Sequence, residues 1–142
     1  MIVAYVAGPY SSPDGFEVAQ NAIAAGQVGR QLAMLGIVPL IPHTIGWYCE
    51  GWQQWPKPAQ TAEWWYRATR ELMTRCNILV MCPGWEKSRG SVAEHSEWVA
   101  TSEWIASAKP PGTTQIPMPF YWPQDREKLA EWVRLNREEW DR

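Results

Sequence analysis

Residues 77–95 read NILVMCPGWEKSRGSVAEH, and the fold turns on how this stretch divides. Asn77 to Cys82 form a short apolar run that stops at Pro83-Gly84. Such a run, bounded by turn formers, reads as a strand buried on both faces of a parallel sheet. The polar KSRGS then leads into a helix over about 90–106. A strand that passes through a polar loop into a helix is half of a β-α-β unit. In open sheets of that kind, ligands sit at the loops outside the carboxyl ends of the strands.

The rest of the chain repeats the alternation. IVAYVA (Ile2 to Ala7) is a second apolar run, closed by Gly8-Pro9. Ser12-Pro13-Asp14 offers helix-start chemistry. Val18, Ala22, Ala25, Leu32 and Leu35 then recur at near-helical spacing, so a helix runs from about Phe16 to Leu35, with Gly36 as its C′ residue. IVPLI (Ile37 to Ile41) is a strand whose Pro39 and Pro42 suit a sheet edge. His43 to Thr61 has no period and reads as a long loop, a kind of segment that is usually functional. AEWWYRATRELMTRC (Ala62 to Cys76) is helical, QIPMPFYW (Gln115 to Trp122) is a strand weakened by Pro117 and Pro119, and a charged amphipathic helix closes the chain over about 124–140. The expected fold is α/β: a single-domain Rossmann- or flavodoxin-like three-layer sandwich over residues 1–142, with a mainly parallel sheet of about five strands.

Composition narrows the function classes. The chain has 142 residues, enough for one hydrophobic core. A net charge of -2 gives no footprint for a nucleic-acid polymer or a membrane surface. No segment has the apolar length of a membrane span, and MIVAYVAGPY lacks the basic start of a signal peptide. The expected location is cytoplasmic. The three cysteines, Cys49, Cys76 and Cys82, do not make a disulfide framework. Zinc-site spacing is missing, and His43 and His95 stand far apart, so no metal is expected. Of the 11 tryptophans, Trp47, Trp52, Trp55, Trp64 and Trp65 fall in one stretch. They read first as core and subunit-interface packing, and second as a stacking surface for a flat ring.

The loops at the strand ends carry the candidate chemistry. GPYSS lacks the dinucleotide glycine pattern, and there is no phosphate-loop lysine motif. What remains there is a glycine that admits a ligand close to the backbone, a tyrosine hydroxyl and two serines. Ser88, Gly90 and Ser91 can present hydroxyls and N–H groups at a helix N-terminus, a natural anion site beside Lys87 and Arg89. Ordinary capping is the rival, with Glu94 closing a capping box on Ser91. Spacing alone favours the box.

Three motifs carry a resemblance: YVAGPYSS at Tyr5 to Ser12, VPLIPH at Val38 to His43, and GWEKSRGSVAEH at Gly84 to His95. With these the sequence resembles the nucleoside 2-deoxyribosyltransferase-like superfamily over most of residues 2–106. The likeness is to its small phage-borne or bacterial domains of unassigned function. It is also similar to the branch that hydrolyses nucleoside 5′-monophosphates. The resemblance implies that Glu94 is a catalytic nucleophile, a role a carboxylate can fill at an anomeric carbon. It implies that Ser88 holds a 5′-phosphate, and that Gly8, Pro9, Tyr10 and Ser11 contact substrate. His43 matches a histidine found near base or phosphate in some relatives; its other reading is a strand-end cap. The family's usual aspartate on the preceding helix falls at Thr69 here, with Glu63 and Glu71 on the same helix and Glu86 and His95 as other candidate acids. His95 itself reads as structural.

The implied function is an N-glycosidase of a (deoxy)nucleoside 5′-monophosphate acting through a glutamate nucleophile. The alternatives are a nucleoside deoxyribosyltransferase and a non-catalytic nucleotide-binding or sensing module. The implied partners are a small nucleotide or nucleoside and further copies of the chain in a homodimer or higher homo-oligomer. No cofactor is implied.

Overall fold

The computed structural model describes residues 1–48, 61–108 and 116–140. Cys49, Trp52 and Trp55 lie outside the described residues, as does the turn-rich KPPGTT. Four strands form one parallel sheet among the described residues: β1 (Val3–Ala7), β2 (Val38–Leu40), β3 (Ile78–Met81) and β4 (Phe120–Tyr121). Their order is β2-β1-β3-β4, with Ala4 opposite Ile78 and Val3 opposite Val38. Five helices connect and follow them: α1 (Gly15–Met34), α2 (Pro42–Tyr48), α3 (Ala62–Met73), α4 (Arg89–Ala108) and α5 (Arg126–Trp140).

The alternation of strand side chains sorts two cores onto the two faces. Ala4, Val6, Ile78 and Val80 pack with Ala25, Val28 and Leu32 of α1 and with Leu129 and Val133 of α5. Tyr5, Ala7, Leu79 and Met81 pack with Met73 of α3 and Trp98 of α4. The result is the three-layer α/β sandwich expected from the alternation of elements.

The sheet has four strands among the described residues, not five. Its edges follow from proline. β2 is an edge strand and contains Pro39, which has no N–H to give an outer neighbour. The fourth strand shrinks to Phe120–Tyr121 because Pro117 and Pro119 interrupt the segment before it. The central pair, β1 and β3, is stitched at its start by Asn77, whose Oδ1 accepts from Val3 N at 2.7 Å.

The helix ends follow local chemistry. Asp14 caps α1 by accepting from Phe16 N at 3.0 Å. At the other end Gly36, at φ 78°, sends its N–H to Ala33 O, and Ile37 N–H reaches Leu32 O. That pair of bonds is a Schellman ending, which needs a residue in the left-handed region. The expected loop from His43 opens instead with the short helix α2, where Pro42 takes the first helical position and Thr44 Oγ1 donates to Ile41 O at 2.7 Å. A run of only seven residues is too short to show an apolar period.

Candidate functional site

β1 and β3 lie side by side, and the chain leaves them towards opposite faces of the sheet. This is the crevice where such folds bind ligands. The backbone at the crevice is tight. A Cβ on Gly8 would stand 2.7 Å from Cys82 Cβ, so only glycine lets the end of β1 run this close to the end of β3. Cys82 N donates to Ala7 O at 2.7 Å and holds the two ends together. Burial pushes the Cys82 thiol up to about 12, so it is an inert core group.

The first loop is fixed from behind by His43. The ring is buried, and its Nε2 lies 3.0 Å from the carbonyl oxygens of both Gly8 and Pro9. Both partners are acceptors, so Nε2 carries the proton and Nδ1 is left as an acceptor. Nδ1 is buried, with no hydrogen-bond partner among the described residues. Burial lowers the imidazole pKa, which agrees with a neutral ring. Tyr10 stands edge-on to His43, with ring centroids 5.6 Å apart, and its carbonyl accepts from Asn21 Nδ2 at 3.1 Å. Its hydroxyl lies against Gly46 of α2, where a Cβ would come within 2.9 Å. Gly8, Pro9, Tyr10 and His43 therefore form one cluster. Ser11 is exposed, and among the described residues no hydrogen bond ties it to that cluster.

The second cluster is the start of α4. Gly84 and a 3-10 turn over Trp85–Lys87 deliver the chain to Ser88, whose Oγ accepts from Ser91 N at 3.3 Å. Ser88 is thus the N-cap of α4, and Arg89 and Gly90 begin the helix. The Ser91–Glu94 capping box does not form. Ser91 is already inside the helix, buried, with no partner for its Oγ among the described residues. Glu94 is one turn further on and turns inward, where Tyr5 O–H donates to its Oε1 at 2.6 Å. Tyr66 of α3, 51% exposed, brings its ring within 3.5 Å of where a Cβ of Gly90 would sit. The helix start thus has an aromatic neighbour.

The electrostatics centre on the Tyr5–Glu94 pair. Burial pushes the Glu94 carboxyl up to about 7, against the opposing pull of the Tyr5 hydrogen bond and of Arg70. Burial and the neighbouring carboxylate raise the Tyr5 phenol far above its ordinary value. Tyr5 therefore keeps its proton and is always the donor to Glu94. Arg70 forms an ion pair with Glu97, which brings a cation close to Glu94 without bonding it directly. Thr69 lies beside the Tyr5 hydroxyl, so its position on α3 does face the carboxyl. Glu71 instead pairs with Arg75 at 2.7 Å and points away, as the spacing from Thr69 predicts.

His95 has a different setting from its neighbour Glu94. It stacks on Trp85 at 4.4 Å between centroids, and its Nε2 lies 2.8 Å from the Tyr121 hydroxyl. These contacts pin the 3-10 turn to the end of β4, in keeping with a structural role. Glu86 is exposed on that turn.

Two residues of this arrangement were not singled out by the sequence reading: Tyr5 and Tyr66. Tyr5 carried a signal. A phenol in the middle of an otherwise aliphatic buried strand needs a partner for its O–H. Tyr66 carried none, because an exposed aromatic on an amphipathic helix has no distinguishing spacing. Among the described residues no three His, Cys, Asp or Glu side chains gather as metal ligands, and no helix is long and apolar enough to cross a membrane.

No curated protein matches the sequence. Residues 2–105 match the family described as "Domain of unknown function (DUF4406)", a span that covers β1 through most of α4 and both clusters. The chain belongs to that family.

Proposed function

We propose that the protein is an N-glycosidase that hydrolyses the N-glycosidic bond of a (deoxy)nucleoside 5′-monophosphate. The observation that carries the reading is the 2.6 Å hydrogen bond from Tyr5 to Glu94, one turn inside the helix that Ser88 caps. A glycosidase nucleophile must be a carboxylate held in one orientation, partly desolvated, beside the binding site for the rest of the substrate. Glu94 is oriented by Tyr5 and largely withdrawn from water, and it is a carboxylate above about pH 7. The N–H groups at the start of α4 and the hydroxyls of Ser88 and Ser91 suit a 5′-phosphate. Tyr66 on one side and Tyr10 on the other would flank a flat base.

The reaction follows from these roles. Glu94 attacks C1′ as the bond to the base breaks, and a glycosyl ester forms. The base leaves with a proton drawn from solvent. Water then cleaves the ester, its oxygen bonding C1′ and its proton returning to solvent, to give free sugar phosphate and the Glu94 carboxylate. Tyr5 orients the carboxylate and stabilises its charge. The resemblance to the nucleoside 2-deoxyribosyltransferase-like superfamily supports the same assignment. In this reading the protein is a cytoplasmic homodimer or larger homo-oligomer, which light scattering can test. The large exposed side chains Tyr66 and Trp104 on α3 and α4 favour the assembly.

One observation favours a second reading, a non-catalytic nucleotide-binding module. Position 69 faces the Tyr5–Glu94 pair but offers a hydroxyl in place of an acid, so no carboxyl there can protonate a leaving base. Incubation with a panel of nucleoside monophosphates and nucleosides, with free base read by chromatography, decides between them. Base release that disappears in Glu94→Gln supports the glycosidase. Nucleotide binding by calorimetry without turnover supports the module. Release of base with an unlabelled second base incorporated into new nucleoside would instead identify a transferase.

A further inference from the structure

A cavity of about 510 Å³ lies across the strand ends from Glu94, on the face covered by α1. Its floor is Gly8-Pro9 after β1 and Cys82-Pro83 after β3. α1 forms one wall, and Trp122 and Pro123, after β4, form another. The volume is that of a small-molecule site, for which ~300–1,000 Å³ is usual.

The lining has a definite charge. Among the described residues it contains no Asp or Glu, although the chain has 15 of them. It does contain Arg30, which has no acidic partner among the described residues, whereas Arg70, Arg75 and Arg134 each pair with a glutamate. Gln27 and Gln31 also line the cavity. Positions 30 and 31 lie three and four beyond position 27, so Gln27 sits between Arg30 and Gln31 on a face of α1 that presents one guanidinium and two amides. Trp122, half-buried, supplies a flat apolar surface on another side.

We propose that this cavity is a second ligand site, which takes a small planar carboxylate. The carboxylate sits on Arg30 with help from Gln27 and Gln31, and the ring lies against Trp122. A guanidinium and a carboxylate match as a two-pronged pair. A phosphate dianion fits less well. Arg30 lies near the C-terminal end of α1, far from its N-terminus, and among the described residues no second Lys or Arg lines the space. His43, at the edge of the cavity, has its Nε2 proton committed to two carbonyls. Glu94 belongs to the opposite face of the sheet with Tyr5, so this cavity shares with the candidate site only the Gly8-Pro9 loop and His43 at the strand ends.

Calorimetric titration of the full chain with benzoate and nicotinate tests the proposal, with benzamide as the neutral control and inorganic phosphate as the rival anion. Both carboxylates should bind with Kd roughly 0.1–1 mM, a range reasonable for ligands this small. Arg30→Gln, at an exposed helix position, should weaken binding by about 10-fold or more. Ala24→Phe, which places a ring in the cavity, should abolish it; circular dichroism checks that both variants fold. Glu94→Gln should leave benzoate binding unchanged. Benzamide binding as tightly as benzoate, phosphate binding more tightly, indifference to Arg30→Gln, or loss of benzoate binding in Glu94→Gln would each overturn the assignment.

Discussion

Ala4 and Val6 point towards α1 and α5, while Tyr5 and Ala7, from the same strand, point towards α3 and α4. The first face is built of aliphatic side chains with small residues where α1 comes close. Leu32, Ile78, Val80 and Leu129 are fully buried there. The second face has its own aliphatic core in Leu79, Met81 and Met73, but sets a phenol, a carboxyl and an ion pair beside it. Burying a carboxyl costs free energy unless it stays protonated or well bonded. A face needed only for stability would have no reason to carry Glu94 at a pKa of about 7. The contrast separates the part of the sandwich that holds the fold from the part that tolerates a cost, and perturbed carboxyls of that kind gather at functional sites.

Changes on the two faces therefore have different readouts. The largest effect belongs to Glu94→Gln, which should cut base release by on the order of 10³-fold or more while the protein stays folded. Retained activity would break the comparison at its centre. Next is Leu32→Ala on the opposite face. Leu32 is 0% exposed, and its truncation should cost roughly 3–5 kcal/mol in urea unfolding. The fraction that remains folded should keep the nucleotide binding proposed at Ser88. A loss of binding in proportion to folded protein only is the expected outcome.

The aliphatic face was far more legible in the sequence than the polar one. Ala22, Ala25 and Leu32 announce α1 by their spacing, and Gly36 announces its end, because a left-handed residue after a periodic run has one reading. The central strands are legible because apolar runs closed by Gly-Pro or Pro-Gly admit few others. Glu94 was legible as a candidate but not in its geometry. Spacing paired it with Ser91 along the helix, whereas the structure pairs it with Tyr5, 89 positions away. Capping rules see neighbours on one element, and this contact depends on which strand lies under α4. Thr69 shows the same limit. Its place beside Tyr5 follows from the packing of α3, which no local pattern fixes. α2 was missed because seven residues cannot display a period.

The pH dependence of stability sharpens the contrast further. Unfolded, Glu94 titrates near 4.5; folded, near 7. Between those values the folded chain holds a proton that the unfolded chain has lost, so stability falls as pH rises. The contribution is fully present below about pH 4.5 and gone above about 7. It amounts to about 3–4 kcal/mol, since each unit is worth ~1.4 kcal/mol. Glu94→Gln has no such proton to lose, yet its amide oxygen can still accept from Tyr5. It should therefore match the wild type near pH 4 and exceed it by that amount near pH 8, as read from urea midpoints across pH. Equal stability at both pH values would mean that the carboxyl is not desolvated as described. Activity that needs the carboxylate should rise through the same interval, so stability and activity are expected to run in opposite directions.

The smallest effects lie at the start of α4, where two serines three positions apart should respond with opposite sign. Ser88 caps the helix, so Ser88→Ala leaves the Ser91 N–H without its acceptor and should cost about 1 kcal/mol. Ser91 has a buried hydroxyl with no partner among the described residues. Removing an unsatisfied buried hydroxyl costs nothing in hydrogen bonding, so Ser91→Ala should be neutral or slightly stabilising, within about 1 kcal/mol. The proposed function adds a second axis to the same pair: both variants should weaken the binding of a nucleoside 5′-monophosphate more than that of the free nucleoside, because each hydroxyl is assigned to the phosphate. A Ser91→Ala protein that is more stable yet binds the monophosphate less well would tie that buried hydroxyl to ligand and not to fold. One that is less stable and binds normally would return Ser91 to the core.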